Sequence, residues 1–282
     1  MNSLVLVILY DKEMDDSTTL RSLSKSKLNN VSIIVINNGP KNFSGISNVY
    51  SDLTHKGCNI EVIEFIDNKP LSYLYNHLID ERPNYDYYVI MDDDSEIDID
   101  EFQRYFDGNV DVIIPSIIEK KDGVKYYPLV NGNINKDNNL PKKSEIYSIT
   151  SGLSVSKRLV KIFHEYGVNL FDERFALYGV DTSFYKRLNK IKETENILML
   201  NECVIYHSLS RVSGEKNLFR IKERLYDEVL INMHYCPSLM RRVLVYIKVL
   251  IKCLRDGKVS WILDIYKLLV SRKHPRSTFK GS

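Results

Sequence analysis

A chain of 282 residues with 44% hydrophobic and 27% charged side chains has room for one large α/β domain or two small ones, and that balance excludes disorder over most of its length. No uncharged apolar run approaches the ~18 residues a membrane span needs, and the apolar start at residues 4–10 has neither a basic leader nor a small-residue cleavage site, so a cytoplasmic chain is expected. The net charge of +2 is uneven: residues 241–282 hold eleven Lys/Arg against two Asp, net +9, which leaves −7 on residues 1–240, a split that argues against a nucleic-acid partner and for contact with an anionic membrane surface.

In chain order, residues 4–10, 31–37, 59–65 and 87–91 are short runs rich in Val and Ile, as buried parallel strands are. Residues 17–26, 44–55 and 70–81 read as the crossover helices between them, the last with Pro70 as its first helical residue. This βαβαβαβ order predicts a Rossmann-like, mainly parallel mixed sheet flanked by helices, with ligands at the carboxyl ends of its strands. Beyond Met91 the alternation loosens. Strands are expected over 110–114, 146–150, 197–200 and 204–206, helices over 157–166 and 181–192, and a polar, mobile loop over 131–143. From Leu218 the pattern is helical, with breaks at Cys236-Pro237 and Asp256-Gly257, giving a body of residues 1–235 and a C-terminal helical extension over 236–282. Cys58, Cys203, Cys236 and Cys253 lack the close pairing of zinc or redox sites and read as reduced, structural thiols.

The fourth strand runs straight into Asp92-Asp93-Asp94-Ser95-Glu96. Three carboxylates at one strand end repel one another unless a cation sits among them, and Mn or Mg takes one or two carboxylates together with a substrate diphosphate. An acidic turn capping the next helix is the alternative. A second carboxylate, Asp181, opens a helix at Asp181-Thr182-Ser183, where it either caps that helix or serves as the general base for an attacking hydroxyl, with Asp172 and Glu173 close in sequence.

These motifs, in this order, resemble the GT-A fold family 2 inverting glycosyltransferases, and over most of residues 1–230 the rhamnosyl- and galactofuranosyl-transferases of bacterial surface polysaccharides. Ile33-Ile34-Val35-Ile36-Asn37-Asn38-Gly39-Pro40 is similar to the family's V-V-D-N-G-S, with Asn37 where Asp is usual. Asn68-Lys69-Pro70-Leu71-Ser72-Tyr73-Leu74-Tyr75-Asn76 is similar to its N-x-G-x-a-x-a-x-N helix, without the glycine. The resemblance implies that Asn37, Asn38, Asn76, Asp92 and Asp93 contact a nucleotide diphosphate-sugar donor. It further implies that Asp94 and His207, the latter directly after a short strand, hold the divalent cation, and that Asp181 in the F-D-E-x-F…D pattern is the base. Ser151-Gly152 resembles the S-G segment on the acceptor side, where glycine allows close backbone approach. His55, His77, His164, His234 and His274 read as structural.

In the tail, Arg241, Arg242, Lys248, Lys252, Arg255 and Lys258 interleave with Val243, Leu244, Val245, Ile247, Val249, Leu250 and Ile251, ahead of a second amphipathic helix with Trp261, Ile262, Ile265, Leu268 and Leu269. Such helices either lie in the interface of an anionic membrane, each basic residue contributing about 1 kcal/mol, or pack on the body with solvated outer faces. The expectation is a metal-dependent sugar transferase, peripheral on the inner face of the cell membrane, acting on a lipid-linked saccharide. Its rivals are a sugar nucleotidyltransferase, which would need a glycine-rich phosphate loop that residues 10–14 lack, and a non-catalytic membrane-bound scaffold.

Overall fold

The computed structural model describes residues 1–45, 47–97, 110–209 and 217–278. Strands β1 (Ser3–Leu9), β2 (Val31–Asn37), β3 (Asn59–Glu64) and β4 (Tyr87–Asp92) pair in parallel, with β1 between β2 and β4. In β1, Leu4, Leu6 and Ile8 join one hydrophobic cluster and Val5, Val7 and Leu9 another, so the sheet is covered on both faces at its centre and β1 carries no polar alternation, whereas edge strand β3 is partly exposed and interleaves Asn and Glu with its apolar residues. Helices α1 (Thr18–Lys25), α2 (Asn48–His55) and α3 (Leu71–Asp80) make the crossovers. Ser17 and Ser47 cap the first two by accepting from the backbone N–H of Leu20 and Tyr50. Pro70 is the residue before α3 rather than its first helical residue, since its ψ of 133° is extended. The helix expected over 44–55 begins at Asn48, and residue 46 lies outside the described residues.

Downstream come β5 (Glu96–Ile97), β6 (Val112–Ile113), β7 (Ser116–Glu119), β8 (Lys125–Tyr127), β9 (Leu129–Val130), β10 (Asn133–Ile134), β11 (Ile146–Tyr147), β12 (Leu153–Ser156), β13 (Met199–Leu200) and β14 (Val204–His207). The main sheet is ordered β13-β6-β12-β4-β1-β2-β3, with β12 antiparallel to both of its neighbours. This is the mixed, mainly parallel α/β architecture expected. Residues 131–143 are not the structureless loop expected: Asn131 and Gly132, at φ 51° and 79°, close a two-residue hairpin that pairs Asn133 with Val130. Asn-Gly is the dipeptide best suited to the left-handed pair such a turn requires.

Helices α4 (Lys157–Glu165), α5 (Gly179–Ile191), α6 (Leu218–Tyr235), α7 (Leu239–Arg255) and α8 (Val259–Ser271) complete the described chain, the last three separated at the expected breaks. Val249 and Cys253 of α7 and Ile265 and Leu268 of α8 are buried in the same cluster as Val229 and Leu230 of α6. The tail helices therefore pack on the body by one face. Among the described residues no helix is long and apolar enough to cross a membrane. All four cysteines are free, as expected, and only Cys236 is not buried.

Candidate active site

Two strand pairings assemble the site. Asp92 is the last residue of β4, and the turn after it leads into β5, which pairs antiparallel with β14 so that Ile97 faces Ile205 and Glu96 faces Tyr206. His207, the last residue of β14, is thereby carried to the aspartate turn from over a hundred residues away. Its Nδ1 lies 2.9 Å from Asp94 Oδ1 and its Nε2 3.8 Å from Asp92 Oδ2. Asp92, Asp94 and His207 each offer one ligand atom, all within 4.8 Å of one another. Two carboxylates and an imidazole converging from the open end of a sheet are a donor set that fits Mn or Mg, so Asp92 joins Asp94 and His207 as a ligand candidate in addition to its expected donor contact. Asp93, expected on the donor, pairs with Lys12 at 2.8 Å.

The turn is held from behind. Buried Ser95 places its Oγ 2.7 Å from Ser151 Oγ and 3.0 Å from His207 Nδ1, while Thr19 Oγ1 donates to Ser95 O and accepts from Ser95 N, both at 3.0 Å. Lys120 Nζ donates to Asp94 O at 2.9 Å. Burial pushes the Asp92 carboxyl up to about 7; His207 opposes this, and the neighbouring Asp94, Asp181 and Asp93 add to it. Burial also raises Asp93 against the pull of Lys12. At Asp94 burial works upward too, yet His207, Lys12 and Lys120 outweigh it and hold the group below its ordinary value. Burial disfavours the charged form of His207, and Asp94 and Asp92 overcome it, raising that imidazole. Buried carboxylates gathered in this way, Asp92 raised chiefly by burial and further by its acidic neighbours, are relieved by a cation.

Asp181 stands in the first turn of α5, where the preceding cap position, Tyr178, makes no side-chain capping bond. Asp181 is not that cap either: its Oδ1 accepts from Thr150 Oγ1 at 2.7 Å. Because β12 runs antiparallel to β4, the residues just before it, Thr150 and Ser151, arrive at the carboxyl end of β4. That geometry brings Asp181 close enough to the cluster of Asp92, Asp94 and His207 for its charge to raise Asp92. The phenol of buried Tyr75, on α3, feels both carboxylates, and burial followed by their charges holds it well above its ordinary value.

Asp172 is excluded as an alternative base by its partners. It is 1% exposed and accepts from Arg174 Nε at 2.8 Å and Tyr235 Oη at 2.6 Å, with Arg187 Nη2 at 3.1 Å. Burial works upward on this carboxyl, but the arginines and the phenol hold it below its ordinary value. Asp172→Asn is expected to cost about 3 kcal/mol by removing the buried carboxylate that the partly buried Arg174 and Arg187 guanidiniums share. Since the folded pKa is depressed, the stabilisation is complete above the unfolded value of about 4 and is lost as pH falls through the folded one. Thermal melts of both proteins from pH 7 to pH 3 check this: the gap should be widest at pH 7 and close in acid.

The expected donor residues divide. Asn37 is buried and its amide is engaged within the fold: Nδ2 donates to Lys41 O at 2.7 Å and Glu64 Oε1 at 3.0 Å, and Oδ1 accepts from Gly39 N at 3.1 Å. Asn38 donates to Lys69 O at 2.9 Å, but its buried Oδ1 has no hydrogen-bond partner. Asn76 ties α3 to the segment leading into α5 through Phe171 O at 2.8 Å, Phe171 N at 3.0 Å and Glu173 Oε1 at 3.0 Å. Ser151 and Gly152, expected on the acceptor side, are both buried and underpin the site instead of lining it. Gly152 has φ 78°, and a Cβ there would meet Ile205 Cδ1 at 2.0 Å and Pro115 Cγ at 2.8 Å, so its close approach is to the core and not to a ligand. Lys12, Thr19, Ser95, Lys120 and Thr150 were not singled out by sequence. Only Lys12, directly after the first strand, stood where a sequence signal could have found it.

The family model for glycosyl transferase family 2 matches residues 5–163, which covers β1 to α4 and the aspartate turn. Among curated protein sequences none matches. Solved structures of S. aureus TarS are similar: TM-score 0.56 at 14% identity for one, with 89% of this chain and 43% of that one covered, so the chain spans less than half of it. TarS 1–349 in complex with UDP-GlcNAc aligns at TM-score 0.56 and 13% identity over 89% of this chain and 72% of that one, and its complex with UDP at 0.53 and 14% over 90% and 72%.

Proposed function

The chain belongs to glycosyl transferase family 2, and from that premise we propose that it transfers a sugar, with inversion, from a UDP- or dTDP-linked donor to a hydroxyl of a lipid-linked saccharide of a bacterial surface polysaccharide. Rhamnose and galactofuranose are the donor sugars implied by the likeness around Asp172-Glu173 and Asp181. The observation that carries the reading is the pairing of two chemistries at one strand end: a three-residue divalent-ion donor set, and a separate carboxylate, Asp181, held beside it by Thr150.

In this reading Asp92, Asp94 and His207 would hold a divalent ion such as Mn or Mg, which would supply positive charge for a leaving diphosphate. Lys12 adds a cation next to the aspartate turn. Asn38 offers its unmatched Oδ1 to the donor, and Asn37 shapes the base pocket through Gly39 and Lys41. Asp181 accepts the proton of the acceptor hydroxyl as the new glycosidic bond forms, with Thr150 fixing which oxygen is turned inward. A non-catalytic scaffold would not need this carboxylate poised beside the ion site.

The test is a thermal-shift titration of the full chain with UDP, dTDP, GDP and ADP, with and without Mn. Saturation at ~100-fold excess over Kd stabilises the folded chain by about 2.7 kcal/mol, roughly 5–10 °C at this size. UDP or dTDP should raise Tm in the presence of Mn. A purine nucleotide acting alone, or no response from any of the four, overturns the donor assignment. The complexes of TarS with UDP and UDP-GlcNAc favour UDP as the first to try.

A further inference from the structure

Helices α7 and α8 have two apolar faces, and the fold uses one. The inner face is buried in the core through Val249, Cys253, Ile265 and Leu268. On the outer face Leu239, Met240, Leu244, Ile247, Ile251 and Leu254 of α7 are each at least 47% exposed, and Val259, Leu263 and Val270 of α8 at least 60%. At 3.6 residues per turn the α7 residues fall on one continuous stripe, and Arg241, Lys248, Lys252 and Arg255 form the row beside it. A contiguous apolar surface of this extent on a single chain marks a docking site.

Charge selects the occupant. In a symmetric pair of copies the same patch would meet itself, setting one tail of net +9 against another. An anionic lipid surface instead attracts the basic row, accepts the apolar stripe among its acyl chains, and repels the body of net −7, so it also orients the chain with its tail toward the bilayer. A cavity of about 630 Å³ lies between the root of α7 and the start of α5. Pro237, Arg241 and Val245 line it on one side and Asp227 and Glu228 of α6 line its wall, while Gly179 and Thr182, from the same first turn of α5 that carries Asp181, line it on the other side without Asp181 itself. We propose that the outer face of α7 and α8 seats the protein on an anionic bilayer and that the cavity beneath α7 receives the head group of an acceptor carried by that bilayer. The second clause rests on the transferase reading; the first does not.

The experiment is co-sedimentation of the full chain with vesicles of phosphatidylcholine alone and of phosphatidylcholine mixed with phosphatidylglycerol, at low and high salt. Binding should be confined to the mixed vesicles and fall by at least ~10-fold at high salt. The double variant Ile247→Glu/Ile251→Glu, at exposed positions outside the core, should lose vesicle binding while its nucleotide thermal shift is unchanged. A second variant, Lys248→Glu/Lys252→Glu, should lose the salt-sensitive part alone. Absence of binding to mixed vesicles at low salt overturns the proposal even if nucleotide binds, and so does a lipid-free dimer that the isoleucine variant dissociates. Vesicle binding without any nucleotide response would sink the transferase reading and leave the docking surface standing.

Discussion

Replacing Asp181 by asparagine is expected to lower kcat by roughly 10²–10⁴-fold with donor affinity nearly unchanged. The substitution is close to isosteric, and the amide oxygen can still accept the Thr150 hydroxyl that now donates to Asp181 Oδ1 at 2.7 Å. What is lost is a group able to take the acceptor's proton as the hydroxyl attacks. Steady-state rates with saturating donor, read beside donor Kd from calorimetry, separate the two quantities. Near-normal turnover would mean that the base is elsewhere. The next candidate is then Glu173, because Asp172 is committed to Arg174, Arg187 and Tyr235.

Asp94→Ala is expected to abolish manganese-dependent nucleotide binding, with Mn affinity down by more than about 100-fold, since even removal of a residue supporting a ligand costs 10–100-fold. The fold should survive. Asp94 contributes to the repulsion that holds Asp92 up at about 7, so its loss relieves part of the strain at the strand end. An independent signature accompanies it: Asp94 is the strongest of the groups holding the His207 imidazole above its ordinary value, so the variant's His207 should titrate lower in an NMR pH series. Unchanged metal dependence, with a shifted His207, would move the metal away from this cluster while confirming the contact.

The parts of the site legible in sequence are those in which one short segment carries the whole signal. Asp92, Asp93 and Asp94 come directly after five buried apolar residues, and three carboxylates in a row at the carboxyl end of such a strand stand where an α/β sheet binds its ligands. Their separate roles were not legible, because the turn sends Asp93 to Lys12 and Asp92 and Asp94 to His207, and that choice is made by Thr19 and Ser95 behind the turn. Ser151 and Gly152 show the converse. Their motif was visible, yet the burial of both follows from β12 entering antiparallel between β4 and β6, a placement that periodicity within a four-residue strand does not specify.

The tail was read in sequence as either membrane-facing or packed on the body, and the structure has it packed, with an outer apolar face left over. An α-helix of 3.6-residue period has room for two stripes, and composition records their sum without dividing it. Val249 illustrates this: read in sequence as part of the apolar stripe, it is 1% exposed and belongs to the core, while Ile247 and Ile251 on either side of it face outward. By itself the sequence determined the βαβ half, the strand that ends in aspartates and the points where the tail helices break, since each rests on local pattern and backbone preference. His207 beside Asp94 was already implied by the resemblance; only the tertiary structure decided that Asp92 and Ser95 join that pair, that Thr150 orients Asp181 and that the tail keeps an apolar face free. Those depend on strand order and on the rotation of helices against the core, which arise from contacts between residues far apart in the chain.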